Sequence, residues 1–193
     1  ALSSRGCAFE VSLSTFDENT AAVGGALAVL NYYSGAGSAT DIAIIDSTFT
    51  NNQATVWHGG AIAIEDVEGE HDLSGNTFEG NKAEWLGGAI RAFDSGPLTI
   101  THSTFISNTS VRDMGGAVNV DGAFESLTMD QIVARDNVSR NNGGFLSVRT
   151  YGTPAVMSLS HLDVRSNSTD PGYSGAGIYL EGGEAVLTNS LFA

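Results

Sequence analysis

Cysteine and basic residues are scarce in this sequence, and both shortages narrow the class of protein. The chain has 193 residues and one cysteine, Cys7, so no disulfide framework holds its fold. Lysine and arginine together number 8 against 22 acidic residues, which gives a formal net charge of -14. This charge repels nucleic acid phosphates and anionic lipids. We therefore expect no nucleic acid partner.

Long apolar runs are missing as well. No stretch reaches the roughly 18 apolar residues of a membrane-spanning helix, so we expect no membrane insertion. Glycine is abundant, with 24 residues, and 41% of the chain is hydrophobic. The apolar content suffices for one core, but the glycine content is too high for an ordinary helical domain. The composition predicts a single folded unit that is rich in turns.

The sequence contains a repeat whose first motif is F-x-x-N. Its four full copies have the phenylalanine and the asparagine at Phe16/Asn19, Phe49/Asn52, Phe78/Asn81 and Phe105/Asn108. Two degenerate copies have Ala134/Asn137 and Val164/Asn167, and Phe192 begins a further copy. Successive asparagines lie 33, 29, 27, 29 and 30 residues apart. This irregular spacing predicts insertions in loops between otherwise equivalent units.

The second motif is Gly-Gly-Ala followed by an aliphatic residue. Full copies occupy residues 24–27, 59–62, 87–90 and 115–118, and degenerate copies occupy 143–146 and 175–178. A glycine pair suits a tight corner where φ is positive or where a Cβ would touch the adjacent turn.

Apolar residues alternate before the phenylalanines and after the glycine pairs. The inward positions before the phenylalanines are Phe9/Val11/Leu13, Ile42/Ile44, Leu98/Ile100, Leu127/Met129 and Met157/Leu159. A period of two predicts half-buried strands, and a third short strand fits between the asparagine and the glycine pair. Such repeats, without helical periodicity, predict an all-β, right-handed parallel β-helix of about six rungs. We expect it to form a single domain over residues 1–193, a fragment of a larger repeat protein.

Stacking places equivalent residues of successive turns above one another, about 4.8 Å apart. We expect the four phenylalanines to form a column of rings that Ala134 and Val164 continue. The six repeat asparagines should form a parallel ladder in which each amide donates to one neighbour and accepts from the other. Such bonding satisfies polar groups that burial would otherwise make costly.

The paired motifs GGA[I/L/V] and FxxN resemble the repeats of the chlamydial polymorphic outer membrane proteins. Four full and two degenerate copies cover nearly the whole chain. The resemblance implies a β-helical passenger displayed on a cell surface, with adhesion as its role. It implies no catalytic residue.

Parallel β-helices also include polysaccharide-acting enzymes, which need neighbouring carboxylates on an outer face. The predicted outward columns are Ser12, Ile45, Ser74, Thr101, Asp130, Ser160 and Thr188 before the phenylalanines, and Ala28, Ala63, Arg91, Asn119, Ser147 and Tyr179 after the glycine pairs. Because these columns hold a single acid and no catalytic motif occurs, we expect no enzyme.

Metal binding has two candidate groups. His102 and His161 share a repeat position with Gln131, but histidines two turns apart cannot ligate one ion, so we predict a polar surface ladder. The residues that we expect in acidic loops are Glu65, Asp66, Glu68, Glu70, Asp72, Asp94, Asp121, Glu125, Glu181 and Glu184. Oxygen ligands make Ca²⁺ a candidate cofactor, but without a calcium motif a solvated acidic edge is the simpler interpretation.

Aromatic residues and sequons complete the candidate sites. Trp57 and Trp85 each stand two residues before a glycine pair, and Tyr173 stands at the same position before Gly175 of the sixth copy. They form either a platform for a sugar or protein partner, or a cap over the core or a loop.

Three N-x-[S/T] sequons fall on repeat asparagines, Asn108, Asn137 and Asn167. They indicate either a secreted glycoprotein or a by-product of the repeat, because an inward amide cannot carry a glycan.

We interpret the chain as a non-catalytic extracellular or cell-surface scaffold or adhesin module. Its first and last turns have no evident cap, so we expect protein partners or continuation of the same polypeptide at both ends. The alternatives are a polysaccharide-acting lyase or glycoside hydrolase and a carbohydrate-binding module.

Overall fold

The chain folds as a right-handed parallel β-solenoid of about six turns, which confirms the predicted fold. The computed structural model describes residues 2–4, 8–31, 40–151 and 155–193, and Cys7 lies outside them. Three sheets run along the axis, and strands of successive turns pair in parallel. Within these described ranges, no helix is long and apolar enough to cross a bilayer.

We number the turns one to six by their repeat asparagines, in the order Asn19, Asn52, Asn81, Asn108, Asn137 and Asn167. Each turn passes through sheet B, rounds a corner at the asparagine, crosses sheet C and a loop, and enters sheet A. The strands of sheet A, with all strands numbered in chain order, are β1 (Leu2–Ser4), β5 (Leu27–Leu30), β9 (Ile62–Glu65), β13 (Ile90–Phe93), β17 (Val118–Gly122), β20 (Leu146–Thr150) and β23 (Ile178–Glu181).

Sheet B contains the F-x-x-N motifs, and sheet C is the predicted third strand. The strands of sheet B are β2 (Phe9–Ser12), β3 (Thr15–Asp17), β6 (Ile42–Ile45), β7 (Thr48–Thr50), β10 (His71–Ser74), β11 (Thr77–Glu79), β14 (Leu98–Thr101), β15 (Thr104–Ile106), β18 (Ser126–Arg135), β21 (Val156–Arg165), β24 (Glu184–Thr188) and β25 (Leu191–Phe192). The strands of sheet C are β4 (Thr20–Ala21), β8 (Gln53–Ala54), β12 (Lys82–Ala83), β16 (Thr109–Ser110), β19 (Val138–Ser139) and β22 (Ser168–Thr169).

Sheet B bends once in every turn, at a residue with positive φ. The bend residues are Leu13, Asp46, Gly75, His102, Gln131, His161 and Asn189. A left-handed residue interrupts the two-residue alternation, so the side chain at the bend turns outward. Leu13 is 83% exposed for this reason, and the prediction that it faces the core is wrong.

The residue after the bend forms a second polar ladder, which the two repeat motifs do not predict. The amide nitrogen of Ser47 donates to Asn76 Oδ1 at 2.9 Å, and that of Asn76 donates to Ser103 Oγ at 3.1 Å. Asn76 Nδ2 donates to the Ile44 carbonyl at 2.7 Å. The sequence signal is a serine or asparagine two residues before each phenylalanine, which Ile132 and Leu162 replace in turns five and six.

The core is a column of aligned phenylalanine rings enclosed by aliphatic residues. The ring centroids of Phe16, Phe49, Phe78 and Phe105 are 4.9, 5.0 and 4.9 Å apart, with the rings nearly parallel. Phe145 then packs on the last of these rings at 5.5 Å and a tilt of 51°.

Turn five exchanges a large and a small side chain. Ala134 takes the column position of phenylalanine, whereas Phe145 takes the alanine position of Gly-Gly-Ala. Both side chains are fully buried. Turn five therefore still contributes one aromatic ring to the core. The ring belongs to the residue that precedes strand β20 of sheet A, whereas in the earlier turns it belongs to sheet B.

The glycine pairs are required by the close approach of successive turns. The first glycine adopts a left-handed conformation, as at Gly59, whose φ is 65°. At the second glycine the turns nearly touch, since a Cβ on Gly60 would lie 1.9 Å from the carbonyl oxygen of Gly88. Alanine cannot occupy that position without moving the neighbouring turn.

Candidate functional site

The repeat asparagines form one hydrogen-bonded ladder through all six turns. Asn81 shows the pattern: its Oδ1 accepts from the backbone nitrogen and from Nδ2 of Asn52, both at 3.0 Å. Its Nδ2 donates to the Phe49 carbonyl and to Asn108 Oδ1, both at 2.9 Å. The four side chains from Asn52 to Asn137 are fully buried, whereas Asn19 and Asn167 at the ends are half-buried. The ladder holds the turns at a fixed spacing.

The three sequon asparagines are members of this ladder. Asn108 Nδ2 donates to the Phe78 carbonyl, and Asn137 Nδ2 donates to the Phe105 carbonyl, each at 3.0 Å. Asn167 Nδ2 donates to the Ala134 carbonyl at 3.0 Å. A glycan on any of these nitrogens would break the ladder, so the folded chain offers none of them for modification.

A row of exposed and half-buried side chains lies two residues before the first glycine of the Gly-Gly-Ala motif, or of its degenerate copy, in turns two to six; we call it the ridge. It consists of Trp57, Trp85, Asp113, Asn141 and Tyr173. The two indoles lie on adjacent turns, because the backbone nitrogen of Trp85 donates to the Trp57 carbonyl at 3.0 Å. They are 51% and 38% exposed, and Tyr173 is 49% exposed. The indoles therefore do not cap the core.

Polar contacts surround the ridge. The Arg112 guanidinium stands over the Trp85 ring, 5.8 Å from its centroid, and pairs with Glu84. Asn141 Nδ2 donates to Asp113 Oδ1 at 2.8 Å. The ridge thus combines apolar ring faces with charged and amide groups in one line, a composition typical of recognition surfaces.

The outer face of sheet A is covered by the loop that carries the ridge. Arg91, Asn119 and Ser147, which were expected on an exposed column, are all buried. The Ser147 hydroxyl donates to Met114 Sδ at 3.6 Å, which shows how the loop packs on the strands. The prediction that these residues form an outward surface is wrong, and at Ser147 the covering group is Met114, from the loop of the preceding turn.

Ionisable residues gather beneath and beside this loop, and we call them the Arg91 cluster: His58, Glu65, Arg91, Asp121 and Arg149. Asp121 Oδ2 contacts Arg149 Nη2 at 2.5 Å and Arg91 Nη1 at 3.4 Å. The strand register places Phe93 between Glu65 and Asp121. Glu65 Oε1 is buried without a hydrogen-bond partner.

Burial shifts the ionisation of two members of the Arg91 cluster. It raises the pKa of Glu65 to about 7, although the charge of Arg91 opposes the shift. It lowers the pKa of His58 to about 4, and Arg91 adds to that effect. The backbone nitrogen of Leu86 donates to His58 Nδ1 at 3.3 Å, which fits a neutral imidazole. Shifts of this kind occur both at functional sites and in buried ion-pair networks.

The acidic residues after the Gly-Gly-Ala strands are only partly in loops. Those on strands are Glu65, Asp72, Asp121, Glu181 and Glu184, so the expectation of loops is wrong for them. Glu68, Asp94 and Glu125 do share a cleft between loops. In the part of the chain that the structure describes, no group of three or more such side chains is arranged to hold a metal ion.

The histidine column lies at the exposed bend of sheet B. His161 Nδ1 lies 2.8 Å from Asp130 Oδ1, which also accepts from the Ser160 hydroxyl at 2.6 Å. Hydrogen bonds from Ser160 and His161 lower the pKa of Asp130 to about 2. His102 occupies the same bend two turns away.

A family model described as a right handed beta helix region matches residues 6–192. Neither the curated proteins nor the solved structures contain a match to the chain.

Proposed function

The chain belongs to the right-handed β-helix family, and we propose that it is a non-catalytic scaffold or adhesin module located outside the cell or on its surface. The family includes both enzymes and non-enzymes, so the proposal depends on this chain's own residues.

The observation that carries the proposal is the contrast between interior and ridge. The interior repeats from turn to turn, with stacked rings and one asparagine ladder. The ridge changes at every turn after the indole pair, from tryptophan to aspartate, asparagine and tyrosine. A constant interior with a varied exterior suits a rigid support that presents a surface for contact.

Outward carboxylates support the same interpretation. Asp121 is bound by Arg91 and Arg149. Asp163 is bound in the same way by Arg135 at 2.9 Å and by Arg165 at 2.5 Å. Carboxylates that are paired with cations are already occupied, whereas glycoside hydrolysis needs two acids that face each other across a substrate.

The resemblance to the chlamydial polymorphic outer membrane proteins is the source of the adhesive role and of the location. Adhesion also fits the exposed indoles, because tryptophan, tyrosine and arginine dominate the energetics of protein contacts. Protein partners would cover the exposed apolar side chains Leu187 and Phe192.

Catalysis is tested by incubating the purified chain with acidic and neutral polysaccharides, with and without Ca²⁺. We expect no release of unsaturated or reducing ends.

The location is tested by labelling intact source cells with an antibody against the chain. Label that appears only after the cells are permeabilised would contradict the proposed location.

A polysaccharide-acting enzyme is the second candidate, and Glu65 is the observation that favours it. A buried carboxyl with a pKa of about 7 is suited to act as a general acid near neutral pH. The scaffold proposal is wrong, and the enzyme proposal is correct, if the chain releases sugar ends and Glu65→Gln abolishes this activity whereas Glu68→Gln does not.

A further inference from the structure

A cleft lies between the three loops that follow sheet A in turns two, three and four, and we call it the acidic cleft. Each loop contributes one carboxylate to it, from Glu68, Asp94 and Glu125. Asp94 is half-buried, and the two glutamates are exposed. The acidic cleft shares no residue with the ridge or with the Arg91 cluster.

Backbone contacts hold the three loops together. The amide nitrogen of Gly96 donates to the Val67 carbonyl at 2.8 Å. The amide nitrogen of Ala123 donates to Asp94 Oδ1 at 2.7 Å. A Cβ on Gly96 would lie 2.1 Å from the carbonyl oxygen of Gly69, so the first two loops are in contact. The fold therefore keeps the three carboxylates in one place, although their charges repel one another.

The carboxylates of the acidic cleft form no ion pair within the described ranges of the chain, and no residue that lines the cleft is basic. Asp66, in the same loop as Glu68, responds to this charge, because burial and then the charge of Asp94 raise its pKa. A bound cation would relieve the repulsion. The net charge of -14 also attracts cations to the chain.

A hydroxyl group in the lining of the cleft has no partner of its own. Ser95 lines the acidic cleft and is only 5% exposed, and its Oγ is buried without a hydrogen-bond partner. Buried polar groups in folded proteins are nearly always hydrogen-bonded. Ser95 therefore has an acceptor to offer to a ligand that carries N–H donors.

The spacing of the carboxylates favours an ammonium group over a metal ion. Loops of successive turns are about 4.8 Å apart, so two such steps separate Glu68 from Glu125. A calcium ion needs several oxygens within about 2.6 Å, and in the part of the chain described by the structure no three side chains are placed to hold a metal. An ammonium group instead directs three N–H donors to separate oxygens at about 2.9 Å. Ala123 and Phe124, which also line the cleft, offer apolar surface to methylene groups.

We propose that the acidic cleft binds a primary alkylammonium group, of the kind carried by a lysine side chain or by a free diamine. This inference goes beyond the scaffold or adhesin function and does not depend on it, because the acidic cleft is separate from the ridge and from Glu65.

The test is a titration of the whole, nitrogen-15-labelled chain, followed by the amide resonances of Ser95 and Ala123 in two-dimensional NMR spectra. The probes are cadaverine, Nα-acetyl-lysine methylamide and tetramethylammonium, which has the same charge as an ammonium group but no N–H donor. We expect saturable shifts with at least one of the two amines and none with tetramethylammonium. Tighter binding of the blocked lysine indicates a lysine of a protein partner as the source, and tighter binding of cadaverine indicates a free diamine.

Asp94→Asn and Glu125→Gln should each weaken amine binding by about 10-fold, the loss of one charged acceptor. The asparagine keeps the Oδ1 that accepts from Ala123, so the loops should stay in place. Glu79→Gln removes the same charge at an exposed position of β11, outside the cleft, and should leave binding unchanged. Circular dichroism should show all three variants folded.

Four results would overturn the inference. They are no saturable shift with either amine, an equal response to tetramethylammonium, equal weakening by Glu79→Gln and the two cleft substitutions, and tighter binding of Ca²⁺ than of both amines at the same resonances. None of them bears on whether the chain cleaves polysaccharides, so the proposed function is judged separately.

Discussion

A ladder asparagine uses its whole side-chain amide within the fold. Asn81 accepts two hydrogen bonds from Asn52 and donates one each to Phe49 and Asn108. Removal of this amide therefore leaves polar groups on both adjacent turns without hydrogen-bond partners, because water cannot reach them to replace it.

We expect Asn81→Leu to lower the free energy of unfolding by about 1–3 kcal/mol, since the leucine fills the site but leaves these groups unpaired. Denaturant unfolding measures the change. Glu79→Leu, at an exposed position of β11 in the same turn, is the control and should change stability little. Equal effects of the two substitutions would show that the ladder is not a source of stability.

Glu65 makes stability depend on pH in a predictable direction. The folded chain keeps this carboxyl protonated up to about pH 7, whereas its ordinary pKa, 4.5, applies after unfolding. Between those values the unfolded state binds fewer protons, so the free energy of unfolding falls as pH rises. The loss is on the order of 3 kcal/mol and is complete above pH 7.

The measurement compares the chain with Glu65→Gln at pH 5 and at pH 8. Stability of the parent chain should drop relative to the variant. His58 acts in the opposite direction, because its pKa lies near 4 in the fold and 6.5 outside it. It is present in both proteins and cancels in the comparison. Parallel pH profiles would contradict the buried, neutral state of Glu65.

In turn five, the core keeps its packed volume because a large and a small side chain exchange positions. Turns two to four place phenylalanine in sheet B and alanine after the glycine pair, whereas turn five has Ala134 and Phe145. The tilted contact of Phe145 with Phe105 shows that the displaced ring still joins the column.

A double-mutant cycle tests this compensation. Phe145→Ala should cost about 3–5 kcal/mol through the cavity it leaves, and Ala134→Phe should cost about 1–3 kcal/mol through overpacking. The double variant restores the arrangement of the earlier turns, so its stability should exceed that expected from adding the single losses. Additive losses would mean that the two positions do not share one space.

The elements that repeat were predictable, and those that break the repeat were not. F-x-x-N and Gly-Gly-Ala predict the sheets and the corner, because stacking forces identical residues into register. The bend that exposes Leu13 has no such signature, since residues as different as Asp46 and Gln131 adopt the same left-handed conformation there. Burial of Arg91 depends on a loop folding back, which alternation along one strand cannot reveal.

At the scale of the molecule, the solenoid is a linear array in which each turn contacts only its neighbours. The strands of an inner turn pair with strands of the turns on both sides. In the residues that the structure describes, β24 and β25 of the last turn pair only with β21. All residues of β24 and β25 are exposed, in contrast to the buried alternation of β10. Stability should therefore be graded along the axis.

Amide hydrogen exchange, followed by mass spectrometry of the native chain, measures this gradient. We expect the slowest exchange in β11 and β15 of turns three and four, and the fastest in β25, which occupies the same position of sheet B. Opening the last turn breaks one interface, whereas opening turn three breaks two and interrupts the ladder at Asn81. Asn81→Leu should then speed exchange in β11 far more than in β25. Uniform protection in these three strands would instead show a single cooperative unit, in which turns do not open individually.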